Sequence, residues 1–173
     1  MTRIAIIGNA GGGKSTLARQ LHARLNLPLH AVDRIQWRPG WQPSPADEVA
    51  DVHATWINSP RWIIDGWGDW PLIEARFARA DTIIFVDFPL WRHTWWAIKR
   101  QFFCLFRPRI DGPAGCPMIP KTWALMKMMR HIDLHALPRL RSLLVSSAPQ
   151  VRIHRLRRPC DISAFLKHVQ TSR

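Results

Sequence analysis

The chain has 173 residues, enough for one domain with its own core, and no apolar run reaches the ~18 residues that span a membrane. Its three cysteines, Cys104, Cys116 and Cys160, are far apart and lack Cys-x-x-Cys spacing, which argues against a disulfide framework or zinc site and suits a reducing cytoplasm. The net charge of +13 is one-sided: residues 1–87 hold nine Lys/Arg and nine Asp/Glu, residues 88–173 hold sixteen and three, and such a field attracts nucleotides, nucleic acid or an anionic membrane surface.

Arg3-Ile4-Ala5-Ile6-Ile7 is an apolar run of strand type, and with a strand so early no signal peptide is expected. Gly8-Asn9-Ala10-Gly11-Gly12-Gly13-Lys14-Ser15 then fits G-x-x-x-x-G-K-[ST] at every fixed position. This is the phosphate-binding P-loop. Its glycines let the backbone curl around a phosphate without side-chain collisions. The loop amides and the start of the next helix make an anion site. Lys14 reaches the β- and γ-phosphates of a nucleoside triphosphate, and the Ser15 hydroxyl suits Mg²⁺. Gly8, Asn9, Ala10, Gly11, Gly12, Gly13, Lys14, Ser15 and Thr16 form the candidate ATP-binding set. Leu17, Ala18, Leu21 and Leu25 follow at helical spacing, as the motif requires.

Leu27 to Val32 reads as a short second strand leading to Asp33, and Arg34 to Pro43 as a loop rich in Trp, Pro and Gly. Ser44 suits a helix cap and Pro45 the first helical position, with Val49, Val52, Trp56 and Ile57 as the apolar face. Arg61 to Gly66 is a buried-type strand ending in Asp65, followed by a short helix near 70–79. Thr82 to Asp87 is a fourth strand. Trp91, Trp95, Ile98, Phe102 and Leu105 mark a helix over about 90–106, and residues 107–120 read as a loop. Helices near 121–131 and 137–147, a fifth strand over Gln150–Leu156 and a last helix capped by Asp161 complete the chain. Strands alternating with helices, with nearly continuous apolar runs, predict a parallel sheet covered on both faces in one α/β domain. Ligands of such a fold sit beyond the carboxyl ends of the strands, where Asp33, Asp65 and Asp87 all fall.

A P-loop needs a carboxylate near its magnesium. Asp65, followed by Gly66, is the first candidate, and Asp87, followed by Phe88-Pro89, the second. Asp33 suits the orientation of an acceptor hydroxyl, or else a helix cap or a salt bridge to Arg34. Arg92, Lys99 and Arg100 share a helical face with Trp96 and Phe103, a cationic face suited to a phosphoryl group in flight or simply to solvent. Trp37, Trp41, Trp67 and Trp70 fall in loops near the strand ends, where they stack on a ligand or plug a small core.

Three stretches resemble the P-loop kinases typified by adenylate kinase and shikimate kinase: the loop with Lys14 and Ser15, Ile63-Ile64-Asp65-Gly66, and Ile84 to Pro89 with Arg100 thirteen residues after Asp87. The motifs Val32-Asp33-Arg34-Ile35-x-Trp37-x-Pro39-Gly40-Trp41, Trp62 to Gly66, Arg79 to Phe85 and Gly115-Cys116-Pro117 are more similar still to the small bacterial group of topology-modulation, adenylate-kinase-related proteins. The resemblance implies a three-layer sandwich with a five-stranded parallel sheet in the order 2-3-1-4-5. It puts helix 44–57 on the acceptor side, a helical lid at about 100–130, and Arg157 and Arg158 near the adenine. It puts Arg100 at the lid mouth and Asp33 at the substrate. Where adenylate kinases follow Asp-Gly with Phe-Pro-Arg, this chain has Trp67-Gly68-Asp69, so AMP is not expected as acceptor.

The expected activity is therefore phosphoryl transfer from ATP with Mg²⁺ to a small molecule, with Lys14, Arg100 and Asp33 as catalytic residues and Ser15 and Asp65 on the metal. The alternative is a nucleic-acid-binding regulator that uses ATP as a switch or hydrolyses it slowly.

Overall fold

The computed structural model describes residues 1–104, 122–146 and 149–171. Five parallel strands make one sheet: β1 (Arg3–Gly8), β2 (Leu29–Ala31), β5 (Trp62–Asp65), β6 (Thr82–Val86) and β7 (Arg152–Leu156), side by side as β2-β5-β1-β6-β7. Two further strands, β3 (Trp37–Arg38) and β4 (Gln42–Pro43), form a small antiparallel ribbon in the stretch expected to be loop. Counting them changes the numbering from the expected 2-3-1-4-5. The ribbon turns through Pro39–Trp41, where Trp37 and Trp41 meet edge to face at 5.8 Å.

The three central strands, β1, β5 and β6, are buried on both sides and their alternate residues feed two cores, whereas the edge strands β2 and β7 are only partly covered, with Arg152, Ile153 and Arg155 of β7 exposed. Ala5, Ile7, Trp62, Ile64, Ile83 and Phe85 pack with Ile57 of α3 (Ala46–Asn58), Ile73 and Phe77 of α4 (Trp70–Arg79) and Leu137, Leu140 and Leu144 of α7 (Leu137–Val145). Ile4, Ile6, Ile63, Ile84 and Val86 pack on the other side with Leu17, Ala18 and Leu21 of α1 (Lys14–Leu25) and Phe165, Leu166 and Val169 of α8 (Pro159–Thr171). The result is the α/β sandwich that the alternation predicts.

Several local expectations are revised. Strand β2 stops at Ala31, and Asp33 lies in the first turn of a short helix α2 (Val32–Gln36). Ser44 does not cap α3: its amide donates to the Gln36 carbonyl at 2.9 Å and closes the ribbon, and Pro45 holds the cap position. The buried face of α3 is Val49, His53 and Ile57, while Val52 is exposed. Asp161 sits inside the first turn of α8, where its carboxylate accepts the amides of Arg157 and Arg158 at 2.8 and 2.9 Å. The helices expected near 121–131 and 137–147 are joined. A π turn over Ile132–Ala136 links α6 (Thr122–His131) to α7, with the Leu137 amide bonded to the Ile132 carbonyl. Pro138, which lacks an amide hydrogen, reads in sequence as a fresh helix start, and the wider turn lets the chain pass it unbroken.

The helix over about 90–106 is α5 (Leu90–Cys104). The loop expected at 107–120, with Arg107, Arg109 and Gly115-Cys116-Pro117, and the neighbouring Lys121 lie outside the described residues.

Candidate phosphate-binding site

The sheet register brings the expected site together. Ile6 of β1 stands opposite Asp65 of β5, and Asp65 opposite Ala31 of β2, so Asp65 ends its strand beside the start of the loop that follows β1. The loop from Gly8 to Gly13 leads directly into α1, whose first amides have no partner within the helix. No acidic side chain lies in that first turn. The helix therefore points an uncompensated positive end at the loop.

The loop is packed from beneath by α5. Gly11 has φ of +75°, and a Cβ there would stand 2.4 Å from the His93 carbonyl oxygen, so only glycine fits. His93 is fully buried and its Nδ1 donates to the Ala10 carbonyl at 2.9 Å, which requires the tautomer protonated at Nδ1. Burial and the nearby Lys14 ammonium push the His93 imidazole down to about 4, so it stays neutral at ordinary pH. Asn9 is fully buried as well: its Nδ2 donates to the Met129 carbonyl of α6 at 2.8 Å, and its Oδ1 accepts the Ala10 amide. The Asn9 side chain is thus a bracket to α6, and its backbone remains part of the loop. The Lys14 Nζ donates to the Asn9 carbonyl at 2.8 Å and so lies folded over the loop.

Asp65 is buried, its carboxylate accepts the Ser15 hydroxyl, and its Oδ1 has no hydrogen-bond partner. Burial pushes its pKa up, and the neighbouring Asp33 carboxylate adds to the rise. The Lys14 ammonium, the Ser15 hydroxyl and the Arg76 guanidinium oppose it. Lys14, Ser15 and Asp33 thereby all lie within reach of the Asp65 carboxylate. Among the described residues there is no group of three or more His, Cys, Asp or Glu that could hold a metal ion unaided. A hydroxyl and an unsatisfied carboxylate oxygen fit the other kind of site, one in which Mg²⁺ keeps waters and takes the rest of its ligands from substrate phosphates.

Asp87 is a different object. Its Oδ1 accepts Arg141 of α7 at 2.9 Å and its Oδ2 accepts the Nε of Arg155 of β7 at 2.6 Å. Both oxygens are engaged, and the group ties α7 to the sheet.

Arg76 belongs to no sequence motif, yet it joins the site. This α4 side chain is fully buried and donates to the carbonyls of Gly66 and Trp67 at 3.1 and 3.0 Å, fixing the turn that follows Asp65. Burial lowers its pKa to about 10, with Asp65 opposing, so it remains a cation. Burial and Arg76 push His53 of α3 down to about 4. His53 also lies beside Trp56, whose ring stacks on His30 of β2 at 4.6 Å. The one sequence signal is that Arg76 falls on the same helical face as Ile73 and Phe77; its burial emerges only from the fold. Trp67 and Trp70 pack against the core, where they serve as plugs.

Arg100 is half-buried on α5, one turn beyond Trp96, the side chain nearest Gly13. Arg157 and Arg158 are exposed in the turn after β7, their amides held by Asp161. Thr16 is exposed and its hydroxyl accepts Arg19 at 3.5 Å.

No protein-family model and no curated protein matches the chain. Solved structures do. Shikimate kinase from Acinetobacter baumannii in complex with shikimate superposes with a TM-score of 0.57 at 12% identity, covering 99% of this chain and 93% of that one. A putative kinase from Chloroflexus aurantiacus gives 0.54 at 16% identity, covering 99% and 98%, and an uncharacterized protein from Eubacterium ventriosum gives 0.52 at 14%, covering 100% of both. The fold is that of the P-loop kinases.

Proposed function

We propose that the protein is an ATP- and Mg²⁺-dependent phosphotransferase acting on a small molecule. The observation that carries this reading is the meeting of Lys14, Ser15 and a buried, half-satisfied Asp65 at the mouth of a complete P-loop, on the carboxyl edge of the sheet. The kinase-type fold supports it.

The loop amides and the first turn of α1 hold the phosphates, and Lys14 leaves the Asn9 carbonyl to meet the β/γ oxygens. Ser15 and Asp65 hold the metal, which when bound supplies neutralisation of the charge on the phosphate oxygens. His93 and Asn9 keep the loop in shape from below. Arg100 faces the transferred group, Asp33 orients the acceptor hydroxyl, and the Arg157–Arg158 turn borders the base. Little proton chemistry is needed, because positioning and electrostatics carry most of this reaction. The motif likeness to the topology-modulation group belongs to the same proposal and adds no chemistry of its own. Part of the basic excess that suggested nucleic acid is engaged internally: Arg141 and Arg155 on Asp87, and Arg139 on Glu74.

The test is a transfer screen with ATP and Mg²⁺ over nucleosides, nucleoside monophosphates, polyols and hydroxy acids, with hydrolysis as background. A product that needs both Mg²⁺ and Lys14 supports the proposal. Nucleotide binding with neither transfer nor hydrolysis sinks it.

A further inference from the structure

Helix α5 has two opposed faces. His93 and Ala97 are buried beneath the P-loop. Half a turn away, Trp91, Trp95, Ile98 and Phe102 form an i, i+4, i+7, i+11 stripe that is 50–64% exposed. On the neighbouring α6, Trp123 and Met128 are exposed too. Large apolar side chains gathered in one exposed stripe mark a surface that meets something.

The flanks say what. The Arg92 guanidinium lies 4.8 Å over the Trp91 ring and the Lys127 ammonium 5.9 Å from Trp123, and Lys99 is exposed beside Trp95 and Ile98 in helical projection. Neither α5 nor α6 contains an Asp or a Glu. A second copy of the chain docking symmetrically on this stripe would bring cationic flanks against cationic flanks with no carboxylate on either helix to offset them. An anionic lipid surface has the opposite charge. It also accepts tryptophan, whose ring has an apolar body and a polar edge suited to the headgroup level. Among the described residues no helix is long and apolar enough to cross a membrane, so the helix would lie in the interface plane.

We infer that the α5 stripe, with Trp123 of α6, is a docking surface for an anionic phospholipid membrane. The stripe points away from the P-loop, so docking leaves the phosphate site open.

The probe is the full chain sedimented with vesicles of phosphatidylcholine alone, or of phosphatidylglycerol and phosphatidylcholine at one to two. Binding is expected to the anionic vesicles only, to weaken as salt rises, and to fall about tenfold or more in W91S/W95S, whose replaced side chains are solvent-exposed and leave the circular dichroism and melting unchanged. Lys14→Ala should bind as the unaltered chain does. Absence of binding, equal binding to neutral vesicles, or undiminished binding by the double variant overturns the inference. So does concentration-dependent dimerisation, or retention on a DNA duplex, that W91S/W95S abolishes in a chain that does not bind vesicles.

Discussion

Strands β5 and β6 flank β1 on either side, and each ends in a carboxylate at the same edge of the sheet. Asp65 and Asp87 are both buried, and both follow an apolar strand. Their surroundings differ. Asp87 has a guanidinium on each oxygen, from Arg141 and Arg155. Asp65 has one hydroxyl, a lysine, a second carboxylate that raises its pKa, and an oxygen with no partner. The first is a completed strut. The second is under-compensated in a way that a divalent cation would relieve. Unmet electrostatic demand, more than position in the strand, separates a site from a scaffold here.

The largest effect should come from the loop between the two strands. Lys14→Ala is expected to cut ATP turnover by about a thousandfold or more while far-ultraviolet dichroism and melting stay as they were, since the side chain lies over the loop and outside the core. Near-normal turnover in the folded variant would remove the site altogether.

The comparison itself is tested by exchanging each carboxylate for its amide. Asp65→Asn should lose Mg²⁺-dependent turnover by about a hundredfold or more at unchanged or raised melting temperature, because the fold disfavours the ionised form of that group. Asp87→Asn should do the reverse. It leaves two arginines facing a neutral amide and should cost about 1–3 kcal/mol of stability, the low side of the buried-pair range because both arginines are partly exposed. Its turnover, measured well below its melting point, should be close to normal. If Asp87→Asn is the change that abolishes magnesium dependence, the assignments are reversed.

Two buried histidines give a smaller, graded effect. His93 and His53 are both held down to about 4 from the usual 6.5. The unfolded chain takes up protons before the folded one does, so stability is complete above pH 6.5 and falls as pH drops towards 4. Each histidine contributes a slope of at most about 1.4 kcal/mol per pH unit within that window. Urea midpoints from pH 7 to 4 check it, and His53→Gln should flatten the profile. Asp65 works with the opposite sign, its raised pKa weakening the fold as pH rises past the usual carboxylate range.

The smallest expected change concerns residues 100–130, which the resemblance to the P-loop kinases implies would form a lid. Met129 is fully buried and its carbonyl is bonded to Asn9 of the loop. Hydrogen exchange at Met129 and Ile132 should therefore be equally slow with and without a non-hydrolysable ATP analogue and Mg²⁺. Nucleotide-dependent protection should be confined to the part of 100–130 that precedes this anchor. Fast exchange at Met129 that slows on nucleotide binding would make the whole of α6 part of the moving element.

Much of this site was legible because it is contiguous. Gly8 to Ser15 is a single motif, and the strand before it and helix after it follow from apolar periodicity. What escaped notice is what depends on distant partners. Arg76 reads as one cation in an amphipathic helix, yet the fold makes it the brace for the Gly66–Trp67 turn. His93 was passed over among the tryptophans and arginines of α5, and its role appears only when α5 packs beneath Gly11. The β3–β4 ribbon was missed because two-residue strands carry no periodicity.

By itself, the sequence determined the local chemistry: a loop that can take phosphate, central strands apolar enough to be buried on both faces, and the helices between them. These follow from backbone freedom, side-chain period and hydrogen-bonding type, all of which act over a few residues. Only the tertiary structure decided which carboxylate is satisfied and which is not, which arginine braces and which is exposed, and which aromatic residues are left facing solvent. Those outcomes depend on desolvation and on charges brought together from positions as far apart as Asn9 and Met129, and no local pattern encodes them.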